Sequence, residues 1–172
     1  MKDLLLTLSK LIDTFVNALG RGVSWLTTIL MFIICVDVIL RYLFSSSANW
    51  IVELEWHISA VIFLIGASYT LMYDKHVRVD LFYERLDTRK RNWVNVLGIL
   101  IFVVPWSIVL IYHGWNYAAS SFSYGQGSSQ PNGLPARYII KSFIPIGFCL
   151  LLLAGMSIVI KSIYQREDIW KE

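Results

Sequence analysis

The sequence predicts an all-α integral membrane protein with four transmembrane helices, forming a single membrane domain over residues 1–172. Its composition is the first indication, because 56% of the residues are hydrophobic and only 16% are charged. Soluble domains carry about a quarter charged residues, and a small soluble protein has too little interior to bury this much apolar surface. The second indication is that four apolar stretches reach the length of about 20 residues needed to cross a bilayer.

Polar connections separate the four predicted spans. The spans lie at about 22–43, 50–73, 92–115 and 138–164. The connection 44–49 is short, which predicts a tight turn between the first two helices. The connection 116–137 is rich in Ser, Gly and Pro, so we expect it to be irregular and mobile.

Lys and Arg residues are distributed unequally around the spans. Twelve lie in the N-terminal segment, in the 74–91 connection and at the C-terminal end, whereas Arg137 stands alone on the opposite side. Since cytoplasmic loops carry the excess of basic residues, both termini and the 74–91 connection are predicted to be cytoplasmic. The basic residues flank apolar spans instead of forming one patch, which argues against a nucleic-acid partner.

Two further segments have amphipathic patterns. Residues 3–20 place apolar residues at helical spacing with Lys10 and Asp13 on the opposite face, which predicts a helix lying on the inner membrane surface. A signal peptide is the alternative, but no small-residue cleavage site follows a short apolar core. Residues 79–91 have a similar pattern, which predicts a short interfacial helix in the cytoplasmic loop.

Ionisable side chains inside the spans need a reason, because they are costly in lipid. The candidates, all in the outer half, are Asp37, Arg41, Glu53, His57 and Lys141. Glu55 points away from the face shared by Glu53 and His57. One interpretation is a structural ion-pair cluster between helices, in which the two basic side chains face the two carboxylates. The other is a proton or ion path, which is less favoured because the inner half of the spans lacks ionisable groups.

His57 also suggests a cofactor hypothesis. His113, near the outer end of span three, lies on the same side, and two histidines on facing helices can ligate a b-type haem. The two lie at different depths, however, and His113 stands beside Trp115 and Tyr117, as is typical of a membrane interface. We therefore expect no cofactor, and a haem-carrying membrane anchor of a redox enzyme remains the alternative function.

Sequence motifs for catalysis are absent. No GxSxG, HExxH, cysteine pair or phosphate-binding glycine loop occurs, which predicts neither an enzyme nor a metal site. A small multidrug exporter would need a carboxylate at a deep, central position. Asp37 and Glu53 lie too near the outer surface for that role.

Three stretches together resemble the small (DctQ-like) membrane subunit of tripartite ATP-independent periplasmic (TRAP) transporters. Span one contains CVDVILRYLF, and span four begins with LPARYIIKSFIPIGFCLLLLAGMSIVI. Span two and its exit read ELEWHISAVIFLIGASYTLMYDKHVRVDLF. The family motif at that exit comprises His76, Val77, Arg78 and Asp80. The order and spacing of the three stretches, together with the four-span layout, make the resemblance specific over nearly the whole chain.

The resemblance implies a small accessory or scaffold subunit of a sodium-coupled, binding-protein-dependent secondary transporter for an organic acid. It implies a location in the bacterial inner membrane. Two protein partners follow from it: a large multi-span membrane subunit that carries the substrate and sodium sites, and a periplasmic substrate-binding protein. The small residues Gly66, Ala67 and Ser68 of span two either pack within the four spans or admit a partner helix.

Overall fold

The computed structural model describes residues 2–45, 48–73 and 86–164, with the side chains of Thr88 and Arg89 left out. The helices are α1 Lys2–Leu43, α2 Asn49–Met72, α3 Thr88–Gly98, α4 Val104–Ser123 and α5 Tyr138–Tyr164. A π-helical segment, Ile99–Val103, joins α3 to α4 without a break. The described residues thus contain four helices long and apolar enough to cross a membrane, which confirms the predicted fold class.

The central helix of the bundle is α5, which contacts α1, α2, α4 and the π-helical segment. Small residues allow the helices to approach closely. A Cβ atom added at Gly147 of α5 would lie 3.0 Å from the carbonyl oxygen of Leu64 in α2. One added at Gly20 of α1 would lie 2.1 Å from the Tyr69 ring. Large apolar side chains such as Phe63, which is 76% exposed, cover the outer faces, as expected for helices in contact with lipid.

The small-residue patch predicted on span two divides between two faces. Ser68 is buried, and its hydroxyl donates a hydrogen bond to the Ile65 carbonyl oxygen. A Cβ added at Gly66 would meet no atom within 4 Å. Ser68 therefore packs within the bundle, and Gly66 does not mediate a close contact inside it.

The π-helical segment has a local cause in the sequence. Pro105 lies in the first turn of α4, directly after the segment. A proline inside a helix has no N–H to donate, and its ring clashes with the carbonyl four residues earlier, here that of Ile101. A single π-turn is a known way for a helix to accommodate such a disturbance.

Residues 3–20 do not form a separate helix, so the predicted interfacial helix is not confirmed. They are the first half of α1, which continues through Gly20 and Gly22 to Leu43. Its 42 residues correspond to about 63 Å at 1.5 Å per residue, roughly twice the thickness of the hydrocarbon core. The buried face of this first half, with Ser9 and Val16, packs within the bundle. The periodicity identifies an amphipathic helix but not the surface that covers its apolar face.

The second predicted interfacial helix, over 79–91, lies partly outside the described residues. From Thr88 onward its residues belong to α3. The family motif residues His76, Val77, Arg78 and Asp80 also lie outside the described residues.

The bundle has two ends, named here for a basic residue at each. The Arg137 end contains the end of α1, the start of α2 and the 124–137 connection. The Lys161 end contains the last turns of α2 and α5. The connection predicted to be irregular over 116–137 is irregular only from residue 124, because residues 116–123 continue α4 to Ser123. Residues 124–137 fold back on themselves: Ser128 N–H donates to the Leu134 carbonyl, 3.1 Å, and Arg137 N–H to the Gln126 carbonyl, 3.0 Å.

Candidate functional site

The charged side chains of the Arg137 end form two groups, where the sequence predicts a single cluster. The first group lies on α1 and α2. Arg41 forms a salt bridge with Asp37, one turn earlier on the same helix. The Asp37 side chain is 6% exposed and that of Arg41 is 50% exposed. This pair therefore lies within α1 and does not itself link two helices.

Glu55 of α2 belongs to the first group, although the i, i+4 pattern directs it away from the other candidates. Its carboxylate interacts electrostatically with both Asp37 and Arg41. Asp37 lies six residues before the end of α1, and Glu55 lies six residues after the start of α2. Because α1 and α2 are antiparallel neighbours, both carboxylates lie about 9 Å from the helix ends that meet at this connection, and therefore at similar depth. Counting residues from both sides of the tight connection would have found this proximity.

The first group, called here the α1–α2 charge group, consists of Asp37, Arg41 and Glu55. One oxygen of each carboxylate, Asp37 Oδ1 and Glu55 Oε1, is buried without a hydrogen-bond partner among the described residues. Most buried polar atoms in folded proteins have a partner. Each of the two carboxylates therefore keeps one acceptor oxygen that no described residue satisfies.

The second group surrounds the Glu53 carboxylate. This carboxylate accepts hydrogen bonds from the Ser128 hydroxyl, from the Leu134 backbone N–H at 2.7 Å and from Arg137 Nη2 at 3.1 Å. All three donors belong to the 124–137 connection. Arg137, the lone basic residue of its side in the sequence, is thus the salt-bridge partner of Glu53, in place of Arg41 or Lys141.

The three donors and the Glu53 carboxylate, together called the Glu53 clasp, hold the 124–137 connection against the start of α2. A second link is the hydrogen bond from Asn49 Nδ2 to the Pro131 carbonyl oxygen, 2.9 Å. Gly133 is required for this close approach, since an added Cβ would lie 2.2 Å from Ser128 Oγ and 2.8 Å from Glu53 Oε2. The clasp therefore gives a polar, Ser- and Gly-rich segment a defined shape.

Lys141 and His57 do not form ion pairs within these groups. Lys141 Nζ donates to Gln126 Oε1, 2.6 Å, and lies 3.9 Å from the centroid of the Tyr117 ring. His57 Nδ1 donates to the carbonyl oxygen of Glu53, one turn earlier. Each side chain is thus held by neutral partners near the helix ends.

A cavity of about 650 Å³ lies between the start of α2, the end of α4 and the start of α5. Its charged lining comes from Glu53, Arg137 and Lys141, and His57 also faces it. His113, by contrast, is exposed, with its ring packed edge-on against Tyr112 at 5.3 Å. Within the described ranges, no three His, Cys, Asp or Glu side chains form a group that could hold a metal ion.

A further polar group, not predicted from the sequence, lies towards the Lys161 end. The Ser157 hydroxyl donates to Asp13 Oδ1, 2.6 Å, and Lys161 donates to the other oxygen of the same carboxylate. These contacts join α1 to α5 across 144 and 148 residues of sequence. Nearby, the Tyr73 hydroxyl donates to Asn17 Oδ1, 3.1 Å, joining α2 to α1. In the sequence, Lys161 in the last turn of the apolar helix α5 is the feature that could have indicated this polar group.

Comparison with known proteins gives a match to a protein family and a similarity to an individual protein. The family described as "Tripartite ATP-independent periplasmic transporters, DctQ component" matches residues 30–164. A relative, the C4-dicarboxylate TRAP transporter small permease protein DctQ of Vibrio cholerae, is 28% identical over 106 residues. That alignment covers 62% of this chain and 43% of the relative, so the chain spans less than half of the relative's length.

The family match covers most of the chain. It includes α2 to α5 entirely and α1 from residue 30, and therefore both charge groups of the Arg137 end. The chain accordingly belongs to the family of DctQ components of TRAP transporters.

Proposed function

We propose that this chain is a scaffold subunit that supports a large multi-span membrane subunit during sodium-coupled, binding-protein-dependent uptake of an organic acid. The observation that carries this proposal is the placement of the charged groups. They lie near the two ends of the bundle, and most join one structural element to another. The name of the Vibrio cholerae relative, which specifies C4-dicarboxylates, supports an organic acid as the substrate class.

The continuity of the spans also supports a scaffold role. Substrate sites in secondary transporters are typically built from broken helices near the middle of the bilayer. In the described residues, α1, α2 and α5 are continuous, and the third span is interrupted only by a π-turn. A bundle of this kind is suited to hold a neighbouring subunit, which would carry the substrate and sodium sites.

The proposed location is the bacterial inner membrane, with both termini in the cytoplasm. The unequal distribution of Lys and Arg supports this orientation. It places the 124–137 connection on the periplasmic side, where the substrate-binding protein would arrive. The Glu53 clasp would then present that connection in one defined shape.

Thiol labelling tests the orientation. In spheroplasts, a reagent that cannot cross the membrane is expected to label Ser129→Cys but not Lys90→Cys, in a background without the native cysteines Cys35 and Cys149. Ser129 is preferred to Ser128, whose hydroxyl binds Glu53. Labelling of Lys90→Cys from outside would show that the orientation is reversed.

Co-purification tests the partnership. The tagged chain, co-expressed with the large membrane subunit of its transporter, is expected to retain that subunit through affinity and size-exclusion chromatography in mild detergent. Purified chain is expected to show no Soret absorption. A large subunit that washes through would refute the partnership, and a Soret band from this chain would favour the haem-anchor alternative.

A further inference from the structure

We propose that the cavity between α2, α4 and α5 binds one phospholipid molecule. The phosphate of the lipid is held at Lys141 and Arg137, and an acyl chain lies along Ala60 and Ile140. This inference goes beyond the proposed function, because it concerns a ligand of this chain itself. It requires neither the large subunit nor a particular orientation of the chain in the membrane.

The cavity arises from the way in which three helices pack. In the described residues, α2 and α4 both pack on α5 but not extensively on each other. The gap left between them, about 650 Å³, is open at the surface of the bundle. Volumes of about 300–1,000 Å³ are typical of small-molecule sites. The cavity can therefore admit a lipid headgroup and the first part of an acyl chain from outside the bundle.

The polarity of the lining changes with depth. Asn49, the first residue of α2, and Glu53 line one part of the cavity, whereas Ala60 lines a part about 16 Å farther along the helix. A second cavity of about 130 Å³, with a mostly apolar lining, shares His57 and Ile140 with the first. The lining therefore suits a ligand that is polar at one end and apolar at the other, as a phospholipid is.

The charges of the lining favour an anion. Glu53 Oε1 lies 3.1 Å from Arg137 Nη2, so these two charges compensate each other. Lys141 Nζ has neutral partners, Gln126 Oε1 at 2.6 Å and the ring of Tyr117. The described residues of the lining thus carry one positive charge without a counter-charge at salt-bridge distance. A lipid phosphodiester has one negative charge and accepts charge-assisted hydrogen bonds from Lys and Arg.

The position of the cavity favours a lipid over an anion from solution. Lys141 lies in the first turn of α5, and Trp56 and Tyr117, which are 74% and 54% exposed, line the same cavity. Trp and Tyr are enriched at the depth of the lipid headgroups, and lysines near helix ends extend to that depth. A small soluble anion would leave the apolar part at Ala60 unfilled.

Native mass spectrometry of the purified, delipidated full-length chain tests the proposal. Titration with phosphatidylglycerol is expected to fill one tight site. Lys141→Ala is expected to weaken that site by about tenfold or more, and Lys141→Arg is expected to keep most of the affinity. Lys90→Ala, at an exposed lysine of α3, is the matched control and should bind as the unsubstituted chain does. Equal affinity in Lys141→Ala would overturn the proposal.

A pair of alanine substitutions tests the position of the acyl chain without changing any charge. Ala60→Phe fills the apolar part of the cavity and is expected to weaken the site by about tenfold or more. Ala119→Phe, at an exposed alanine of α4, is expected to have no effect. This pair keeps the test decisive if Lys141→Ala loses helix content by circular dichroism. Equal binding by the two phenylalanine variants would contradict the proposal.

Two further compounds separate a lipid from other ligands. Diacylglycerol has the same acyl chains but no phosphate, and it is expected to bind at least about tenfold more weakly than phosphatidylglycerol. Inorganic phosphate at millimolar concentration is expected not to displace phosphatidylglycerol. Diacylglycerol that binds as tightly as phosphatidylglycerol would show that the basic side chains do not recognise a phosphate. Displacement by inorganic phosphate or by a C4-dicarboxylate would show a site for a soluble anion, and either result would overturn the proposal.

Discussion

Replacing Arg41 by alanine is expected to reduce the yield of folded chain and its thermal stability in detergent. The substitution removes the guanidinium that pairs with Asp37 and leaves that buried carboxylate without a cation. Breaking a buried ion pair costs about 3–5 kcal/mol, and we expect about 3 kcal/mol or less here. The lower value applies because the Arg41 side chain is 50% exposed, so water can reach part of the site.

Thermal unfolding followed by circular dichroism, with the yield of monodisperse protein, measures this effect. Arg41→Lys keeps the positive charge and should lose much less stability. Arg41→Ala combined with Asp37→Asn should recover part of the loss, because the stranded charge is the main cost. Normal folding and assembly of Arg41→Ala with a complete loss of transport would contradict the structural interpretation and favour an ion path.

Replacing Glu53 by alanine is expected to release the 124–137 connection from the start of α2. The carboxylate accepts three hydrogen bonds from this connection, so its removal leaves the Leu134 N–H and the Arg137 guanidinium without their acceptor. Unsatisfied donors are costly wherever water is excluded. Cleavage of the connection by added protease should become several-fold faster, since proteolysis follows the population of the open form.

A pair of glycine substitutions within the connection provides the matched comparison. Gly133→Ala places a Cβ against Ser128 Oγ and Glu53 Oε2, so it should open the clasp as Glu53→Ala does. Gly127→Ala should be neutral, because a Cβ there meets no atom within 4 Å. If all three variants resist protease as well as the unsubstituted chain does, the clasp does not determine the shape of the connection.

The membrane fold follows from local properties of the sequence, and these were sufficient to predict it. Length and hydropathy define a span because a bilayer imposes a fixed thickness on any helix that crosses it. The same local pattern could not show that residues 3–20 continue into span one and pack within the bundle. Asp13 is joined to Ser157 and Lys161 by contacts between residues that are distant in sequence. No periodicity within the helix contains that information.

The sequence pattern singled out Asp37, Arg41 and Glu53, but it put them in one cluster and left out Glu55 and Arg137. Asp37 and Arg41 are four residues apart on one helix, so their contact follows from helical geometry. The pairing of Glu53 with Arg137 depends on how an irregular connection folds back, which the Ser- and Gly-rich composition does not reveal. Predicting that Glu55 lies at the depth of Asp37 would have required comparing their distances from the ends of α1 and α2.

The central claim is that this chain supports transport and does not perform it. Uptake of an organic acid, tested first with a C4-dicarboxylate, into liposomes under a sodium gradient tests this claim most directly. The arms contain this chain alone, the large subunit alone, and both together, each with the binding protein. Uptake is expected when both membrane subunits are present and at background level with either alone. Substrate uptake by this chain alone, or full uptake by the large subunit without it, would contradict the account.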